Sequence, residues 1–391
     1  MYLAFKVFLI LFGVLFNTFS YAKNSNNDNV FLQRLTVKDG LSQGTINVVF
    51  QDKEGFLWIG TEDGLNIYDG YRFRVLPGES GNLVNNGVYK VLQDNDSIMW
   101  LIASDGLFSY DKLTDQYHHI LTHPPEDKSY YFVDFVEGNE NILWVASNKT
   151  LLKLDRKSSK YKTFLNLSTE LAEGETIYEI KKQGKYLYIA TRVGIFLVDS
   201  QSGQWKKLPS INQKALVKNP KLDKIYNVHI TKGGYLFLGT FEGLFKVNIN
   251  KIESFMNSDS LLPDYELVDK NMISWTFLPT GNDLFIGNQQ GLSKYNFLSG
   301  ETEQVLAFND VFDDINNNIV TSLTIDKEGT FWLGSNTSGV FQWDPTLSLI
   351  TNLRYQKSNV NRLSDNIVWD IETDKNNADL VWVATENGLN L

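Results

Sequence analysis

The chain has 391 residues, with 36 Lys and Arg against 46 Asp and Glu, a formal net charge of −10, and no cysteine. The lack of cysteine excludes disulfides, cysteine nucleophiles and thiolate metal sites, and the acidic balance argues against binding to nucleic acid, which needs clustered Lys and Arg. Aromatic residues make up 13% of the chain, whereas there are 8 prolines. This composition favours an all-β or repeat protein.

The first 22 residues predict a secretory signal peptide. They are almost entirely apolar with one charge at Lys6, and they end in Ser20-Tyr21-Ala22 before a polar stretch. The apolar run Val7 to Phe16 is about half as long as a membrane span, so an uncleaved anchor is the weaker alternative. Residues 23–29 are too polar to pack and are expected to form a linker. We therefore expect an exported protein.

A segment rich in aromatic and β-branched residues recurs through the chain. It reads FLWIGTEDGLNIYD from Phe56 and YLFLGTFEGLFKVN from Tyr235, with an incomplete copy, LVWVATENGLNL, from Leu380. The copies lie about 46 residues apart, a period typical of four-stranded propeller blades. One aromatic residue anchors each copy, and these predicted structural anchors are Trp58, Trp100, Trp144, Tyr188, Phe237, Phe285, Trp332 and Trp382.

Each repeat unit predicts four short strands. An alternating or apolar run such as INVVFQD is followed by a Gly/Asp turn, the anchored strand, a second turn such as TEDG, and two further runs such as LNIYD and YRFRVL. No helical periodicity is sustained over about 12 residues. The predicted fold class is therefore all-β, a β-propeller of four-stranded blades.

The order of the units predicts how the ring closes. Leu32 to Leu35 resembles the outer strand of a unit without inner strands before it, so it can complete the last blade and remove an open sheet edge. The pattern at Leu41 recurs at Leu363, about seven periods later. We expect a seven-bladed propeller over residues 30–349, closed by the N-terminal strand, and the truncated first blade of a second propeller over 350–391. An eight-bladed ring is the alternative, and the incomplete last copy predicts that the chain is part of a longer polypeptide.

The run Leu35 to Gly70, LTVKDGLSQGTINVVFQDKEGFLWIGTEDGLNIYDG, resembles the two-component regulator propeller repeat of periplasmic sensor regions in bacterial receptors. The units anchored by Tyr188, Phe237 and Phe285 depart from that repeat, because they lack its tryptophan. The resemblance implies two successive seven-bladed propellers, an immunoglobulin-like domain, one membrane span beyond this sequence, and a cytoplasmic histidine kinase or GGDEF diguanylate cyclase. It also implies a homodimeric receptor that responds to oligosaccharides or other nutrients.

Loops longer than the repeat demands form the predicted ligand-binding surface. They are Thr122 to Tyr131, Ser210 to Lys224, Ser258 to Trp275 and Phe308 to Asn318, all expected on the propeller face that commonly binds ligands. Aromatic rings can stack on sugar C–H faces while Arg and Asn bond the hydroxyls, although inter-blade packing and turn capping are the alternative roles. The candidate ligand-binding residues are Arg192, Tyr130, Tyr131, Trp275, Asn86, Asn318 and Asn366.

The D-x-x-G-x-x-W pattern that begins at Asp52 and at Asp326 resembles the Asp-box of sialidases. Its spacing suits a structural turn, in which the carboxylate caps a hairpin, the glycine adopts a positive φ, and the aromatic ring is buried. No phosphate-binding glycine loop, nucleophile elbow or acid/base pair stands out. We expect no catalytic residue and no cofactor.

Two clusters were weighed as metal sites, and neither predicts one. His118, His119 and His123 fall on a predicted outer strand and its exit loop, and strand alternation would point His118 and His119 to opposite faces. The oxygen-rich stretch Asp313 to Asn318 could hold calcium, but a solvated loop explains it better because the spacing of a fixed calcium loop is missing.

Three function classes follow, of which a non-catalytic sensor is preferred. Such a sensor binds a small molecule or oligosaccharide and changes the geometry of a dimer through a membrane span outside this sequence. The alternative is an exported propeller glycoside hydrolase or polysaccharide lyase. For that class only Arg192 and Arg362 fall in loops of the expected ligand face, whereas a sialidase would need about three arginines on its substrate carboxylate. A protein-interaction scaffold is the third class and predicts a large apolar patch.

Overall fold

The computed structural model describes residues 32–76, 87–122, 129–211, 224–258, 263–308, 319–347, 363–375, 377 and 380–391. The predicted signal peptide and linker lie outside the described residues. The chain divides into two compact units, residues 31–345 and a second unit that contains residues 346–391. Each is described by itself below.

Nearly all regular structure is strand. One α-helix, α1 (Ile249–Asn257), and one 3-10 turn (Val37–Asp39) are the helical elements among the described residues. The strands are β1 (Leu32–Leu35), β2 (Ile46–Gln51), β3 (Leu57–Thr61), β4 (Gly64–Tyr68), β5 (Phe73–Val75), β6 (Val88–Gln93), β7 (Met99–Ala103), β8 (Gly106–Asp111), β9 (Gln116–Thr122), β10 (Phe132–Glu137), β11 (Ile142–Ser147), β12 (Thr150–Asp155), β13 (Tyr161–Asn166), β14 (Ile177–Gln183), β15 (Tyr186–Thr191), β16 (Gly194–Asp199), β17 (Trp205–Lys207), β18 (Ile225–Ile230), β19 (Tyr235–Thr240), β20 (Gly243–Asn248), β21 (Glu266–Asp269), β22 (Ser274–Thr280), β23 (Asp283–Asn288), β24 (Gly291–Asn296), β25 (Thr302–Ala307), β26 (Val320–Ile325), β27 (Phe331–Ser335), β28 (Val340–Trp343), β29 (Val368–Thr373), β30 (Val381–Thr385) and β31 (Gly388–Asn390).

Within the described part of residues 31–345, these strands form seven four-stranded antiparallel sheets. Sheets 1 to 6 take their strands in chain order, from β2–β5 in sheet 1 to β22–β25 in sheet 6. Sheet 7 has the order β26-β27-β28-β1. The first strand of each sheet contacts the first strand of the next, and β26 contacts β2, so the sheets form a ring. The predicted all-β propeller class is confirmed, whereas the division into a first and a second propeller stays a prediction.

The N-terminal strand supplies the outer edge of sheet 7. β1 pairs antiparallel with β28, from Leu32 opposite Trp343 to Leu35 opposite Val340. The two ends of the ring are therefore joined by backbone hydrogen bonds within one sheet. This pairing covers the edge of β28, which would otherwise offer unpaired backbone groups to another chain.

The hydrophobic core lies between neighbouring sheets. Between sheets 1 and 2, for example, Trp58 and Leu65 pack with Val88, Leu101 and Phe108, and all five are buried. Truncating a buried aromatic residue of this kind to alanine typically costs about 3–5 kcal/mol of unfolding free energy. Six such clusters follow one another around the described sheets.

Small residues on the second strands let the sheets approach closely. A Cβ added to Gly60 in β3 would lie 2.5 Å from the carbonyl oxygen of Val88 in the next sheet. Gly334 in β27 meets the side chain of Ile46 of sheet 1 in the same way. The recurrent small residue of the repeat is therefore explained by the distance between neighbouring sheets rather than by a turn.

The D-x-x-G-x-x-W motif links a hairpin to the core through one carboxylate. Asp52 Oδ1 accepts hydrogen bonds from the backbone N–H groups of Glu54, Gly55 and Phe56, while Asp52 Oδ2 accepts one from Trp58 Nε1 at 2.8 Å. Gly55 has φ +103°, a conformation that favours glycine. The motif therefore fixes both the turn and the rotamer of the buried anchor.

Two further sheets repeat this arrangement. Asp94 Oδ2 accepts a hydrogen bond from Trp100 Nε1 at 2.8 Å, and Asp326 Oδ2 accepts one from Trp332 Nε1 at 2.7 Å. Arg156 of sheet 3 also pairs with Asp94 at 3.3 Å, so this carboxylate joins two sheets.

The Leu-Ser pattern that precedes the first strand, at Leu41 and again at Leu363, is explained by hydrogen bonds to an asparagine. Asn66 in β4 is fully buried; its Oδ1 accepts a hydrogen bond from Ser42 N at 3.0 Å and its Nδ2 donates to Ser42 Oγ at 2.8 Å. In the second unit Asn390 binds Ser364 in the same way, at 2.8 Å and 3.0 Å. In each case an asparagine side-chain amide in the third strand forms hydrogen bonds with the loop that precedes the first strand of the same sheet.

The predicted long loop from Ser258 to Trp275 is wrong. This stretch contains β21, the outer strand of sheet 5, which pairs with β20. The repeat unit is also lengthened before Ser258 by α1, which follows β20 and was not predicted. Asn248 caps that helix by accepting a hydrogen bond from Asn250 N, and Ile249, Ile252 and Phe255 are buried. Its nine residues are too few for a sustained helical period in the sequence.

The second unit contains a three-stranded sheet, β29-β30-β31. Positions that are buried in sheet 1 are exposed in this sheet: Trp58 is 1% exposed, whereas Trp382 is 37% exposed. All six residues of β29 are exposed. Of the eight predicted anchors, the seven in the ring are buried and Trp382 is not.

Candidate functional site

Every first strand in the ring begins with a β-bulge at its second residue, which has no partner in the register of the second strand. We call the end at which these strands begin the upper face; the turn between the second and third strands lies there too. Bulges re-aim side chains and often occur beside binding sites. The bulged residues are Asn47, Tyr89, Val133, Tyr178, Tyr226, Trp275 and Thr321.

Three successive bulged residues bring aromatic rings together. The rings of Tyr178 and Tyr226 have centroids 4.8 Å apart, and those of Tyr226 and Trp275 are 5.2 Å apart. Phe241, at the turn between β19 and β20, lies 6.1 Å from Tyr226 and 6.4 Å from Trp275. The rings belong to sheets 4, 5 and 6 and form a continuous aromatic surface.

Two tyrosines extend this surface toward sheet 2. Tyr131 is 45% exposed, and its hydroxyl donates a hydrogen bond to Thr176 Oγ1 at 3.1 Å, just before β14. Tyr89 and Tyr131 line a cavity of about 390 Å³ between sheets 2 and 3. We call Tyr89, Tyr131, Tyr178, Tyr226, Phe241 and Trp275 the aromatic arc.

Polar groups flank the aromatic arc. Arg192, at the turn between β15 and β16, donates a hydrogen bond to Gly174 O at 3.0 Å. Its charge acts on Tyr178, although burial is the larger influence and raises the pKa of that tyrosine. Tyr89 donates a hydrogen bond to Glu62 Oε2 at 3.3 Å, and burial raises its pKa. Tyr178 and Tyr89 are therefore neutral hydrogen-bonding groups at physiological pH.

The first strands enclose a central cavity of about 640 Å³, and all seven bulged residues line it. Its charged lining residues come from sheets 2 to 5. The lining contributed by sheets 6, 7 and 1 has no charged residue and includes Trp275, Phe277, Leu323 and Val49. The cavity therefore has a charged wall and a neutral wall. The charged wall consists of Lys90, Asp134, Glu179, Lys181, Lys182 and His229.

The charged wall also ties the sheets together. Asp134 pairs with Lys90 at 2.8 Å and accepts a hydrogen bond from Ile180 N at 2.9 Å. Glu179 pairs with Lys181 at 2.7 Å and accepts a hydrogen bond from Val228 N at 2.6 Å. Each carboxylate therefore binds the first strand of the following sheet.

Two titratable groups of this wall have shifted pKa values. Burial disfavours the charge on Lys181, but Glu179 and Asp134 outweigh it and raise the pKa of Lys181. Burial, together with the neighbouring Lys181, lowers the pKa of His229 to about 4. At neutral pH the cavity therefore holds a charged Lys181 beside a neutral His229.

The structure separates the predicted ligand-binding residues. Arg192, Tyr131 and Trp275 lie on or beside the aromatic arc. Tyr130 instead packs in the core between sheets 2 and 3, with its ring 5.4 Å from that of Phe132. Asn366 belongs to the second unit, where it is exposed. Asn86 and Asn318 lie outside the described residues.

Sequence reasoning missed Tyr178, Tyr226, Phe241 and the charged wall. A signal for the first two was present, because an aromatic residue directly follows the first buried residue of each inner strand in sheets 4, 5 and 6. The charged wall had no comparable signal, since its members come from four sheets and from different strand positions.

The two clusters for which no metal site was predicted fall partly outside the described residues, which exclude His123 and Asp313 to Asn318. His119 stacks on Phe108, with centroids 4.2 Å apart, and His118 is the neighbouring residue of the same strand. Across the described ranges, no group of three metal-ligating side chains is present. Nor does the described part of the chain contain a helix long and apolar enough to cross a membrane.

Comparison with known proteins connects this fold to a family. The profile of the two component regulator propeller family matches residues 40–63, in sheet 1, and residues 314–337, whose described part, 319–337, lies in sheet 7. Two segments of the ring therefore match the two-component regulator propeller repeat. A histidine kinase of Formosa agariphila is 40% identical over 62 residues, which cover 16% of this chain and 4% of the kinase.

Solved structures share the propeller over most of the chain. The extracellular domain of the hybrid two component system BT3049 from B. thetaiotaomicron has a TM-score of 0.64 at 18% identity, covering 93% of this chain and 49% of that one. The extracellular domain of BT4673 from the same organism has a TM-score of 0.61 at 18% identity, covering 92% and 52%. This propeller chain therefore spans about half the length of these receptor domains.

An enzyme also shares the fold. The virginiamycin B lyase from Staphylococcus aureus has a TM-score of 0.58 at 12% identity, covering 80% of this chain and 98% of the lyase. At such identities the likeness shows the fold alone.

Proposed function

We propose that this two-component regulator propeller is the ligand-sensing region of an exported, periplasmic bacterial receptor. It binds a glycan-like nutrient on its upper face and signals through a membrane span to a cytoplasmic histidine kinase or diguanylate cyclase. The two matches to the family profile support the sensor role, and the extracellular domains of similar fold support export.

The observation that carries the proposal is the aromatic arc. Its rings come from five sheets, and several are half-exposed although the core of each sheet is fully covered. Aromatic side chains offer apolar area with little conformational freedom to lose, and tyrosine and tryptophan add a polar group at the edge. Sugar rings need this combination, because they present C–H faces and hydroxyl edges together. An extended saccharide fits an arc better than it fits an isolated pocket.

Signalling requires a ligand that distinguishes two states of the receptor. A ligand that binds both states equally shifts no equilibrium, however tightly it binds. We propose a homodimeric receptor in which occupation of the upper face favours one arrangement of the two propellers. The binding energy of the aromatic arc is then the energy available for that shift.

The test is calorimetric titration with a panel of neutral and acidic tetrasaccharides. Trp275→Ala is expected to weaken binding of a recognised saccharide at least about tenfold, the loss of one stacking interaction. Tyr71→Ala is the matched control, since Tyr71 is 89% exposed at a sheet 1 turn outside the arc. That control is expected to bind like the unaltered protein.

Two results would contradict the proposal. One is the failure of every saccharide in the panel to bind. The other is binding that Trp275→Ala and Tyr226→Ala leave unchanged while the circular dichroism spectrum stays native, because the upper face would then be uninvolved.

A further inference from the structure

The central cavity lies below the aromatic arc and shares Tyr89, Tyr178, Tyr226 and Trp275 with it. A ligand stacked on these rings therefore has a space with polar walls beneath it. The volume of about 640 Å³ is enough for one or two sugar units. The chemistry of its walls indicates which sugar substituent that space accommodates.

Three residues that line the cavity carry a buried hydrogen-bond donor without a partner in the described part of the chain. Asn47 Nδ2, Asn227 Nδ2 and Trp275 Nε1 are buried and have no acceptor among the described residues, and all three residues line the cavity. Asn227 is itself only 4% exposed. Because these donor atoms are enclosed, the choice of ligand depends on the charged groups of the cavity instead.

The charge of the cavity is opposite to that of the whole chain. The protein has a net charge of −10, yet the charged wall has three lysines against two carboxylates, with His229 neutral at pH 7. Lys90 is paired with Asp134, and the ammonium of Lys182 is held by Asn139 at 3.0 Å and by Gly184 O at 2.8 Å.

Lys181 is the ammonium best placed for a ligand. Its one close ion-pair partner on the charged wall is Glu179, at 2.7 Å, and its side chain keeps 35% of its surface exposed. The pair leaves further N–H groups of the ammonium for another acceptor, because an ammonium has three donors.

We propose that the central cavity is the subsite for an anionic substituent of the sugar ligand, a carboxylate or a sulfate. Lys181 binds the anionic oxygens on the charged wall, and the sugar ring lies against Trp275. This inference rests on the proposed function, since it assigns a ligand class to the same upper face. The favoured ligand is therefore an acidic oligosaccharide rather than a neutral one.

The test compares an acidic probe with its neutral ester and with a second probe that carries a different anionic group. Tetragalacturonate, its fully methyl-esterified form and a sulfated tetrasaccharide are titrated against the chain at 50 mM salt. The acidic probes are expected to bind at least about tenfold more tightly than the ester. The carboxylate and sulfate probes separate the two sources of anionic oxygen. Inorganic sulfate is added as a competitor for the acidic probes alone.

Variants of the ion pair give effects of opposite sign. Lys181→Met is expected to weaken the binding of the acidic probes about tenfold and to leave the binding of the ester unchanged. Glu179→Gln keeps an oxygen acceptor for Val228 N but removes the ion-pair partner of the Lys181 ammonium. This variant is therefore expected to bind the acidic probes about threefold more tightly. Lys162→Met, at an exposed position of outer strand β13, is the matched control and is expected to change nothing. Because a misfolded protein does not bind more tightly, the Glu179→Gln result cannot arise from unfolding.

Each outcome is decisive. Equal binding of acid and ester, with no effect of either variant, overturns the anionic subsite while the sensor proposal stands. Binding of neither form, together with failure of the neutral panel, overturns both. Acidic preference that Lys181→Met and Glu179→Gln leave intact places the anion elsewhere and overturns this assignment.

Discussion

Two halves of the ring differ in how they hold their anchors. In sheets 1, 2 and 7 a carboxylate accepts hydrogen bonds from a turn and from the indole of the buried tryptophan, as Asp52 does with Trp58. In sheet 5 the equivalent turn uses Thr231, whose hydroxyl accepts one hydrogen bond from Tyr235 N at 3.0 Å, and the anchor is Phe237, which has no polar hydrogen to donate.

The upper face divides in a similar way, although sheet 2 places Tyr89 of the aromatic arc at its bulge. Sheets 1 and 7, which the family profile matches, place Asn47 and Thr321 at the bulge, whereas sheets 4, 5 and 6 place Tyr178, Tyr226 and Trp275 there. The regular half therefore keeps the repeat as a structural clamp. The divergent half keeps the sheet geometry and carries most of the candidate recognition residues. A rigid scaffold permits such variation because the strands stay in place when their exposed residues change.

The largest effect is expected from breaking the clamp in the regular half. Asp94→Ala removes the acceptor for Trp100 Nε1 and for two turn N–H groups, and it leaves the half-buried Arg156 without one of its two carboxylates. We expect a loss of about 3–5 kcal/mol in the free energy of unfolding, measured by urea denaturation.

Asp69→Ala is the matched control for that loss. Asp69 also caps a turn, accepting from Tyr71 N at 2.8 Å and Arg72 N at 2.7 Å, but it is exposed and binds no core residue. A clearly smaller loss than that of Asp94→Ala is expected. Equal losses for the two variants would show that the indole contact contributes nothing.

An intermediate effect is expected at the small residues between sheets. Gly60→Ala places a methyl group 2.5 Å from the carbonyl oxygen of Val88, a backbone atom that cannot rotate away, so about 2–3 kcal/mol is expected. In the divergent half, Gly239→Ala meets the side chains of Asn227 and Ser274, which can change rotamer. Its loss should be smaller, and chemical denaturation of both variants checks the order; the reverse order would contradict a backbone clash.

The smallest effect concerns acid. Burial of Asp199 in sheet 4 opposes its ionisation, but Lys185 at 2.7 Å and the N–H groups of Ser202 and Gln201 outweigh it and lower its pKa to about 2. Since the folded pKa is depressed, the stabilisation is present above the unfolded value of about 4 and is lost as pH falls toward 2.

Asp199→Asn tests this on a pH series. The variant is expected to be about 1–2 kcal/mol less stable than the unaltered protein at pH 6, with the difference vanishing near pH 2. A difference that stays constant across pH 2 to 6 would assign the role of Asp199 to its shape rather than to its charge.

Much of the fold could be predicted because the repeat is local. The turn signals at Asp52 and Gly55, the alternation in β2 and the spacing of the tryptophans lie within single units, so the period alone indicated four-stranded blades. The orphan strand Leu32–Leu35 was predictable for the same reason, as an outer strand with no inner strands before it. Helix α1 was not, because its nine residues interrupt a unit without a periodic signal.

The candidate site was predictable only in part. Arg192, Tyr131 and Trp275 were found by their position near strand starts, whereas Tyr130 looked equivalent to Tyr131 and lies in the core. Adjacent residues such as Tyr130 and Tyr131 point to opposite faces of a strand or loop end. Only the packing against the neighbouring sheet decides which of the two side chains is covered.

By itself, therefore, the sequence determined the blade, its turns and the anchors, because these depend on contacts within about 46 residues of chain. The tertiary structure alone decided the aromatic arc, the charged wall and the pairing of Asp94 with Arg156. These depend on which side chains of separate sheets meet after the ring closes. Ring closure places the first strands side by side and brings together residues far apart in the sequence, and it is at this junction that a ligand would be recognised.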